Sequence, residues 1–137
     1  MKEKLLTLLD TFLFLAQDPR TAQDLVIKYG AEQWTYGDLD LISTGLAREI
    51  QALHGDGSKP IVVSISENRP YVLAMVLATW KLGGIFAPLD CHAPPDMVKK
   101  MVENIAPTCA SLHEHNKISF EVMRGKTFSV PVKGSFH

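Results

Sequence analysis

The sequence predicts an α/β fold in which an N-terminal β-hairpin is followed by βαβ units of a mainly parallel sheet. Short strand-like runs alternate with helical patterns over residues 33–112. Glycine and proline turns separate these runs, and apolar residues recur at steps of three and four in the helical patterns. The chain has 137 residues, 46% of them hydrophobic. That is enough for one folded domain with a buried core.

Charge and cysteine content exclude several classes of function. The chain has fourteen basic and fifteen acidic side chains, a net charge of −1. This balance gives no general reason to bind nucleic acid or a membrane surface. Two cysteines do not make a disulfide scaffold, and they predict a reducing, cytoplasmic location. The longest apolar run, residues 71–80, is half of the roughly 20 residues that a membrane span needs.

The N-terminal apolar stretch at residues 5–16 follows Lys2 and Lys4 and resembles a signal peptide. Asp10 lies in its middle and no small-residue cleavage site follows, so an amphipathic helix is the favoured interpretation. The residues of its apolar face are Leu5, Leu9, Phe12 and Ala16. A break at residues 18–20 leads to a predicted strand at 21–29, a turn at 30–32 and a second strand at 33–34, which together form the hairpin.

The next helix begins with a capping signal. Thr35 is the predicted N-cap, and Asp38 three residues later completes a capping box. One apolar face follows, made of Leu39, Ile42, Leu46, Ile50 and Leu53. A polar, glycine-rich loop at residues 54–58 ends the helix.

A buried strand and an unusually apolar helix come next. Residues 61–66 are rich in β-branched side chains, which is typical of a buried strand. Pro70 suits the first turn of a helix over residues 70–82. This helix is apolar on nearly every side, so we expect it to be covered on nearly every side.

The remaining elements follow at short intervals. Gly83 and Gly84 predict a helix end, and residues 85–87 predict a strand closed by Pro88. A helix opens at residues 94–96, and a weak strand follows at 110–112. The predicted inner stripe of that helix is Met97, Val98, Met101, Val102 and Ile105.

The sequence changes character near Asn116. Residues 117–137 carry four basic side chains and one acidic one, whereas residues 1–116 are net acidic. Alternating apolar residues at 118–122 and 128–132 are compatible with a hairpin, and a loosely ordered tail is the alternative. The predicted division is therefore 1–116 and 117–137.

Residue types that often carry chemistry have unremarkable spacings here. Cysteine and histidine occur at Cys91, His92, Cys109, His113 and His115, but no CxxC or HxxxH pair is among them. We expect ordinary core and loop residues and no metal site. The glycines at 83–84 and 55–57 lie at helix C-termini, the wrong end for phosphate.

Other candidates also have structural interpretations. Residues 43–45 (STG) lie inside a predicted helix and form no nucleophile elbow, and His54 belongs to no recognisable triad. Lys81 is expected to be a solvated cation near a helix C-terminus. Met97 and Met101 are expected to fill the core.

Two stretches resemble core motifs of the adenylate-forming enzymes, the AMP-binding superfamily of acyl-CoA synthetases, luciferases and nonribosomal peptide synthetase adenylation domains. The first motif segment is residues 34–39 (WTYGDL), and the second is residues 80–90 (WKLGGIFAPLD), similar to the usual LKAGG-x-x-x-P-L-D. Leu82 stands where the motif usually has alanine. The resemblance covers about residues 5–115 and implies that residues 1–116 are a partial N-terminal subdomain of a larger adenylation domain. Residues 117–137 do not resemble the family and are predicted to be a tail outside it.

In that family, an acid and ATP-Mg form an acyl-adenylate, which a thiol of CoA or of a carrier protein then captures. The phosphate loop and the catalytic lysine that the resemblance implies are not present in these 137 residues, so it assigns no catalytic, cofactor-binding or metal-binding residue here. It implies a truncated piece that is inactive alone, partnered by the missing remainder or a paralogue. The alternative is a non-catalytic interaction module that binds a complementary or full-length adenylation domain.

Overall fold

The computed structural model describes residues 7–55, 57–66, 69–112 and 127–128. The helices are α1 (Leu8–Gln17), α2 (Tyr36–His54), α3 (Pro70–Lys81) and α4 (Pro95–Ile105). The strands are β1 (Leu25–Tyr29), β2 (Glu32–Thr35), β3 (Ile61–Ser66), β4 (Ile85–Asp90), β5 (Cys109–Leu112) and β6 (Thr127–Phe128).

The strands form a small hairpin and a parallel sheet, which confirms the predicted fold class. β1 and β2 pair antiparallel, while the second sheet has the order β4-β3-β5-β6 with every described pair parallel. β3 and β4 align from Ile61 opposite Ile85 to Ser66 opposite Asp90. β3 is thus flanked on both sides, and its side chains Val62, Val63 and Ile65 are fully buried.

The helices cover both faces of this sheet, and the chain path explains why. The connection from β3 leads to β4 on one side of it in the sheet. The connection from β4 crosses back over β3 and leads to β5 on its other side. Since parallel crossovers are right-handed, α3 and α4 must lie on opposite faces. The core agrees, because α3 packs in one cluster with Val62, whereas Val98 and Val102 of α4 pack in another with Val63. α1 and α2 share the cluster of α3.

The predicted capping box of α2 is confirmed, and α1 begins with a second capping box that was not predicted. Thr7 and Thr35 both form capping boxes, with Asp10 and Asp38 respectively. Phe12 and Ala16 of the predicted α1 face are buried, whereas Leu5 lies outside the described residues. The first strand begins later than predicted, because residues 21–24 form a turn in which the N–H groups of Thr21 and Ala22 donate to the Asp18 carbonyl.

The predicted inner stripe of α4 is partly wrong. Val98 and Val102 are buried and Ile105 packs beside them, but Met97 is 49% exposed. The helix meets the sheet along the 98–102–105 line, and Met97 is one residue, about 100°, away from it. Met97 is therefore a surface residue in the first turn and not a core filler.

The helix predicted to be covered on nearly every side, α3, is covered around most of its circumference, with one exposed strip. Ala74, Met75, Leu77 and Ala78 of α3 are buried against the other helices and the sheet. Leu73 and Trp80, two turns apart on the same side, are 39% and 37% exposed. The apolar sequence of α3 thus exceeds what the described residues bury.

β4 runs through Pro88 to Asp90 and does not stop at the proline as predicted. The Ile85 N–H donates to the Pro60 carbonyl at 2.9 Å, so odd-numbered residues of β4 present their backbone groups to β3. Pro88 then has its nitrogen on the outer side, where no described strand requires a donor. Proline is tolerated because β4 is an edge strand of the described sheet.

The predicted tail hairpin at residues 118–132 lies outside the described residues, apart from β6. Those two residues pair parallel with Ala110 and Ser111 of β5. The division at residue 116 stays a prediction.

Substitutions that add or remove a proline in β4 should show which of its edges is hydrogen-bonded to β3. Ala87→Pro removes an N–H directed at β3 and should lower the free energy of unfolding by about 1–3 kcal/mol. Pro88→Ala should change it by less than about 1 kcal/mol, since it alters only unfolded-state entropy. Urea denaturation measures both, and equal losses would contradict the assigned edge.

Candidate functional site

The carboxyl edge of the parallel sheet is where an α/β fold binds ligands, at the point where strand order reverses. In the order β4-β3-β5, this point lies between β3 and β5. The strands reach that edge at Ser66, Asp90 and Leu112. Residues 67–68 and 113–126, which follow β3 and β5, lie outside the described residues.

The described part of this edge is the turn from β4 into α4. The Asp90 side chain accepts a hydrogen bond from the His92 N–H at 2.8 Å, and its carbonyl accepts one from Ala93 at 3.2 Å. Pro94 and Pro95 then begin the helix and bring no N–H group. A helix N-terminus binds anions through free N–H groups, so this one is poorly suited to phosphate.

The first motif segment joins the hairpin to α2. The Thr35 hydroxyl accepts from the Asp38 N–H at 3.0 Å, and the Asp38 carboxylate accepts from the Thr35 N–H at 3.0 Å. The Gly37 N–H donates to the Ala22 carbonyl at 2.9 Å, and a methyl group on Gly37 would lie 3.3 Å from that oxygen. These contacts fix the start of α2 against the preceding turn.

Trp34, the first residue of this segment, is an anchor in the core. Its side chain is fully buried beside α1 and α2, and the indole Nε1–H has no hydrogen-bond partner among the described residues. An unpaired buried donor costs about 1–3 kcal/mol. Burial of so large an apolar ring offsets a cost of that size.

The second motif segment turns α3 into β4. Gly83 has φ +71°, and the N–H groups of Gly83 and Gly84 donate to the carbonyls of Trp80 and Thr79, which is a Schellman ending. A side chain on Gly84 would overlap the Pro60 carbonyl and lie 2.9 Å from its Cγ. The helix-stop interpretation of this glycine pair is confirmed, and Gly84 is needed for close backbone contact.

Lys81, in the same segment, is not the solvated cation that the sequence predicts. Its ammonium donates to Asp40 Oδ1 at 2.6 Å, to the Asp40 carbonyl at 3.1 Å, to Ser43 Oγ at 2.8 Å and to Thr44 Oγ1 at 2.9 Å. The side chain is only 14% exposed. Packing of α3 on α2 places the ammonium over one polar site on the neighbouring helix, which sequence spacing does not reveal.

The acceptors of Lys81 share one helix face. Asp40, Ser43 and Thr44 stand at positions i, i+3 and i+4 of α2, which point the same way. Their hydroxyls also donate to the Asp40 carbonyl, at 3.0 and 2.8 Å. This polar cluster beside the apolar face of α2 is a signal that sequence inspection could have found, although its partner was not predictable.

The other sequence candidates are scattered. Cys109 is buried on β5, Cys91 is half-buried after β4, and His113 and His115 lie outside the described residues. The described residues hold no group of three or more metal-ligating side chains. His54, at the end of α2, has Nε2 2.8 Å from Ser58 Oγ, and Gly55 ends that helix with φ +81°.

The clearest electrostatic effect lies away from both motif segments. In the turn after α1, hydrogen bonds from the side chain and backbone of Arg20 lower the pKa of Asp18. The same pair raises the pKa of Arg20. This is a local turn interaction and brings no charge to the carboxyl edge of the sheet.

No helix among the described ranges combines the length and hydropathy that a bilayer crossing requires. The cytoplasmic location suggested by the cysteine content stays a prediction.

Comparison with known proteins gives one family. The family model described as "AMP-binding enzyme" matches residues 14–128, including both motif segments. The match continues beyond residue 116, into the predicted tail.

The relatives include two fungal biosynthetic enzymes. Hispidin synthase of Neonothopanus nambi is 45% identical over 103 residues, which are 75% of this chain and 6% of that protein. Malpinin synthetase of Mortierella alpina is 28% identical over 95 residues, 69% of this chain and 1% of that protein. The chain therefore spans a small fraction of these relatives.

Among solved structures, a luciferase-like enzyme from the mealworm Zophobas morio has the same fold, with a TM-score of 0.76 at 14% sequence identity. The superposition covers 96% of this chain and 33% of that chain. The described fold is therefore one part of a larger architecture.

Replacing Gly84 with alanine should strain the helix–strand junction. The added methyl group meets backbone, so we expect a loss of about 1–3 kcal/mol in the free energy of unfolding. Gly57→Ala is the matched control, because a methyl group there meets open space. Its effect should stay within about 0.5 kcal/mol in the same denaturation experiment. Equal stability of the two variants would exclude the close contact.

Lys81→Met should lower the free energy of unfolding, because it leaves the acceptors on α2 without their cationic donor. We expect a loss of about 1–3 kcal/mol, and about 0.5 kcal/mol or less for Lys100→Met on the exposed side of α4. Combining Lys81→Met with Asp40→Asn should cost less than the sum of the single changes. Strict additivity in urea denaturation would show that Lys81 and Asp40 do not interact.

Proposed function

We propose, since this chain belongs to the AMP-binding enzyme family, that it forms the first α/β portion of an acid-activating, adenylate-forming ligase and makes no acyl-adenylate as a 137-residue polypeptide. The observation that supports this proposal is that both motif segments have structural roles. One caps α2, and the other ends α3 and begins β4. Both serve the scaffold on which a reaction site is built.

The chemistry of the parent reaction determines which groups its active site must supply. A carboxylate attacks the α-phosphorus of ATP, pyrophosphate leaves, and a thiol of CoA or of a carrier protein then displaces AMP. Such a transition state needs preorganised positive charge and hydrogen-bond donors around the phosphates. The demand is large because two anions must approach one another.

The described residues do not fit ATP and magnesium. The Lys81 ammonium is occupied by three residues of α2, and α4 begins with two prolines that bring no N–H donor. No group of three or more possible metal ligands occurs in the described ranges. Hence we assign the nucleotide and the metal to the complete family enzyme.

A non-catalytic interaction module is the second candidate, and an exposed apolar groove supports it. The groove is lined by Thr7, Leu8, Leu9, Trp80, Gly83 and Gly84, of which Leu8 is 75% exposed and Trp80 is 37% exposed. Such a module would bind a complementary or full-length adenylation domain. Capture of a full-length paralogue by the purified chain would favour it.

Pyrophosphate exchange tests the first proposal. The purified chain, shown to be folded by circular dichroism, should convert no labelled pyrophosphate into ATP with any carboxylic acid tried. A complete adenylate-forming enzyme serves as the positive control. Exchange that co-purifies with the chain, or saturable magnesium-dependent ATP binding by calorimetry, would refute the proposal.

A further inference from the structure

We infer that Asp40, Ser43 and Thr44 of α2 form a recognition site for a primary ammonium ion, and that the Lys81 side chain is the ligand which this chain itself supplies to that site. These three residues of α2 are called the ammonium site below. The inference goes beyond the proposed function and does not rest on it, because neither a nucleotide nor a carboxylic acid takes part.

The ammonium site surrounds the nitrogen of Lys81 with oxygen atoms. Asp40 Oδ1 lies 2.6 Å from Nζ and the Asp40 carbonyl oxygen lies 3.1 Å from it. Ser43 Oγ and Thr44 Oγ1 lie 2.8 and 2.9 Å from the same atom. An ammonium group has three N–H donors and no acceptor. Each donor therefore has an acceptor within reach, and the carboxylate of Asp40 also balances the charge.

The hydroxyl groups of the site are oriented without any help from α3. Ser43 and Thr44 donate their hydroxyl hydrogens to the Asp40 carbonyl, at 3.0 and 2.8 Å, and all three residues belong to α2. Because a hydroxyl has only one hydrogen, both oxygens can then only accept further hydrogen bonds. The side chains of the site thus present acceptors and a negative charge, which favours a cation that carries N–H donors.

The shape of the site favours a compact ammonium group over a planar guanidinium. Its four oxygens converge on a single atom, whereas a guanidinium spreads five donors over a plane and suits a flat pair of oxygens. Ser43 is fully buried at the inner side of the site. The Asp40 side chain is 27% exposed, so a small ion can enter beside it once the lysine side chain is removed.

Replacing the attached ligand with a free one tests the inference. In the full chain, Lys81→Ala deletes the ammonium group and leaves the space of its stem. Methylammonium chloride should raise the melting temperature of this variant by about 2–5 °C more than tetramethylammonium chloride at the same ionic strength, because only an ion with N–H donors can refill the site in the folded state. The wild type should show no such difference. Lys100→Ala, which removes an exposed lysine of α4, should behave like the wild type.

A second substitution shows whether methylammonium binds at the ammonium site. Adding Thr44→Val to Lys81→Ala removes one acceptor and should markedly reduce the stabilisation by methylammonium. Equal stabilisation of the single and double variants would overturn the inference, because the ion would then bind elsewhere. An equal response of Lys81→Ala to the two salts would overturn it as well, since the effect would then be one of ionic strength.

Two further measurements decide the matter even if Lys81→Ala does not fold. Lys81→Arg keeps the positive charge and should melt below the wild type, so equal melting would contradict the inferred selectivity for ammonium. In the wild type with isotope-labelled lysine, the Lys81 ammonium should give a nuclear magnetic resonance signal at neutral pH, because hydrogen-bonded and largely buried protons exchange slowly with water. The exposed Lys100 ammonium should give none. Absence of a protected Lys81 signal would overturn the inference.

Discussion

The contact between Gly84 and Pro60 is the constraint on which the parallel sheet depends. It lets the Ile85 N–H donate to the Pro60 carbonyl at 2.9 Å, and the aligned pairing of β3 with β4 starts there. On the other side of β3, the Thr108 N–H donates to the Ile61 carbonyl at 2.8 Å, while Thr108 Oγ1 accepts from the Ile61 N–H at 3.0 Å. The amino end of the central strand is therefore held from both sides.

The helical layer depends on the same segment. Lys81 is three residues before Gly84, and its ammonium joins α3 to the polar face of α2. One stretch thus ends a helix, ties that helix to its neighbour and begins the adjacent strand. Since all three tasks use backbone geometry or buried polar contacts, a substitution there affects several layers together.

Features set by nearby residues were predictable from the sequence, and features set by distant ones were not. Thr35 and Asp38 cap α2 through atoms three residues apart, and Gly83 ends α3 through its own φ angle. By contrast, the partner of Lys81 lies 41 positions away at Asp40. The exposed side of Met97 depends on how α4 meets the sheet. For the candidate site, the motifs indicated the family, but their local contacts alone provide no phosphate-binding groups.

The order of strands in the sheet has a consequence for synthesis on the ribosome. β3 lies at the centre of the β4-β3-β5 arrangement, yet it precedes both neighbours in the chain. Each later helix and strand can therefore add to a template that has already emerged, first on one flank and then on the other. N-terminal segments emerge first and can fold while the rest is being made. A sheet that grows outward from its oldest strand requires no later strand to be inserted between two that are already paired.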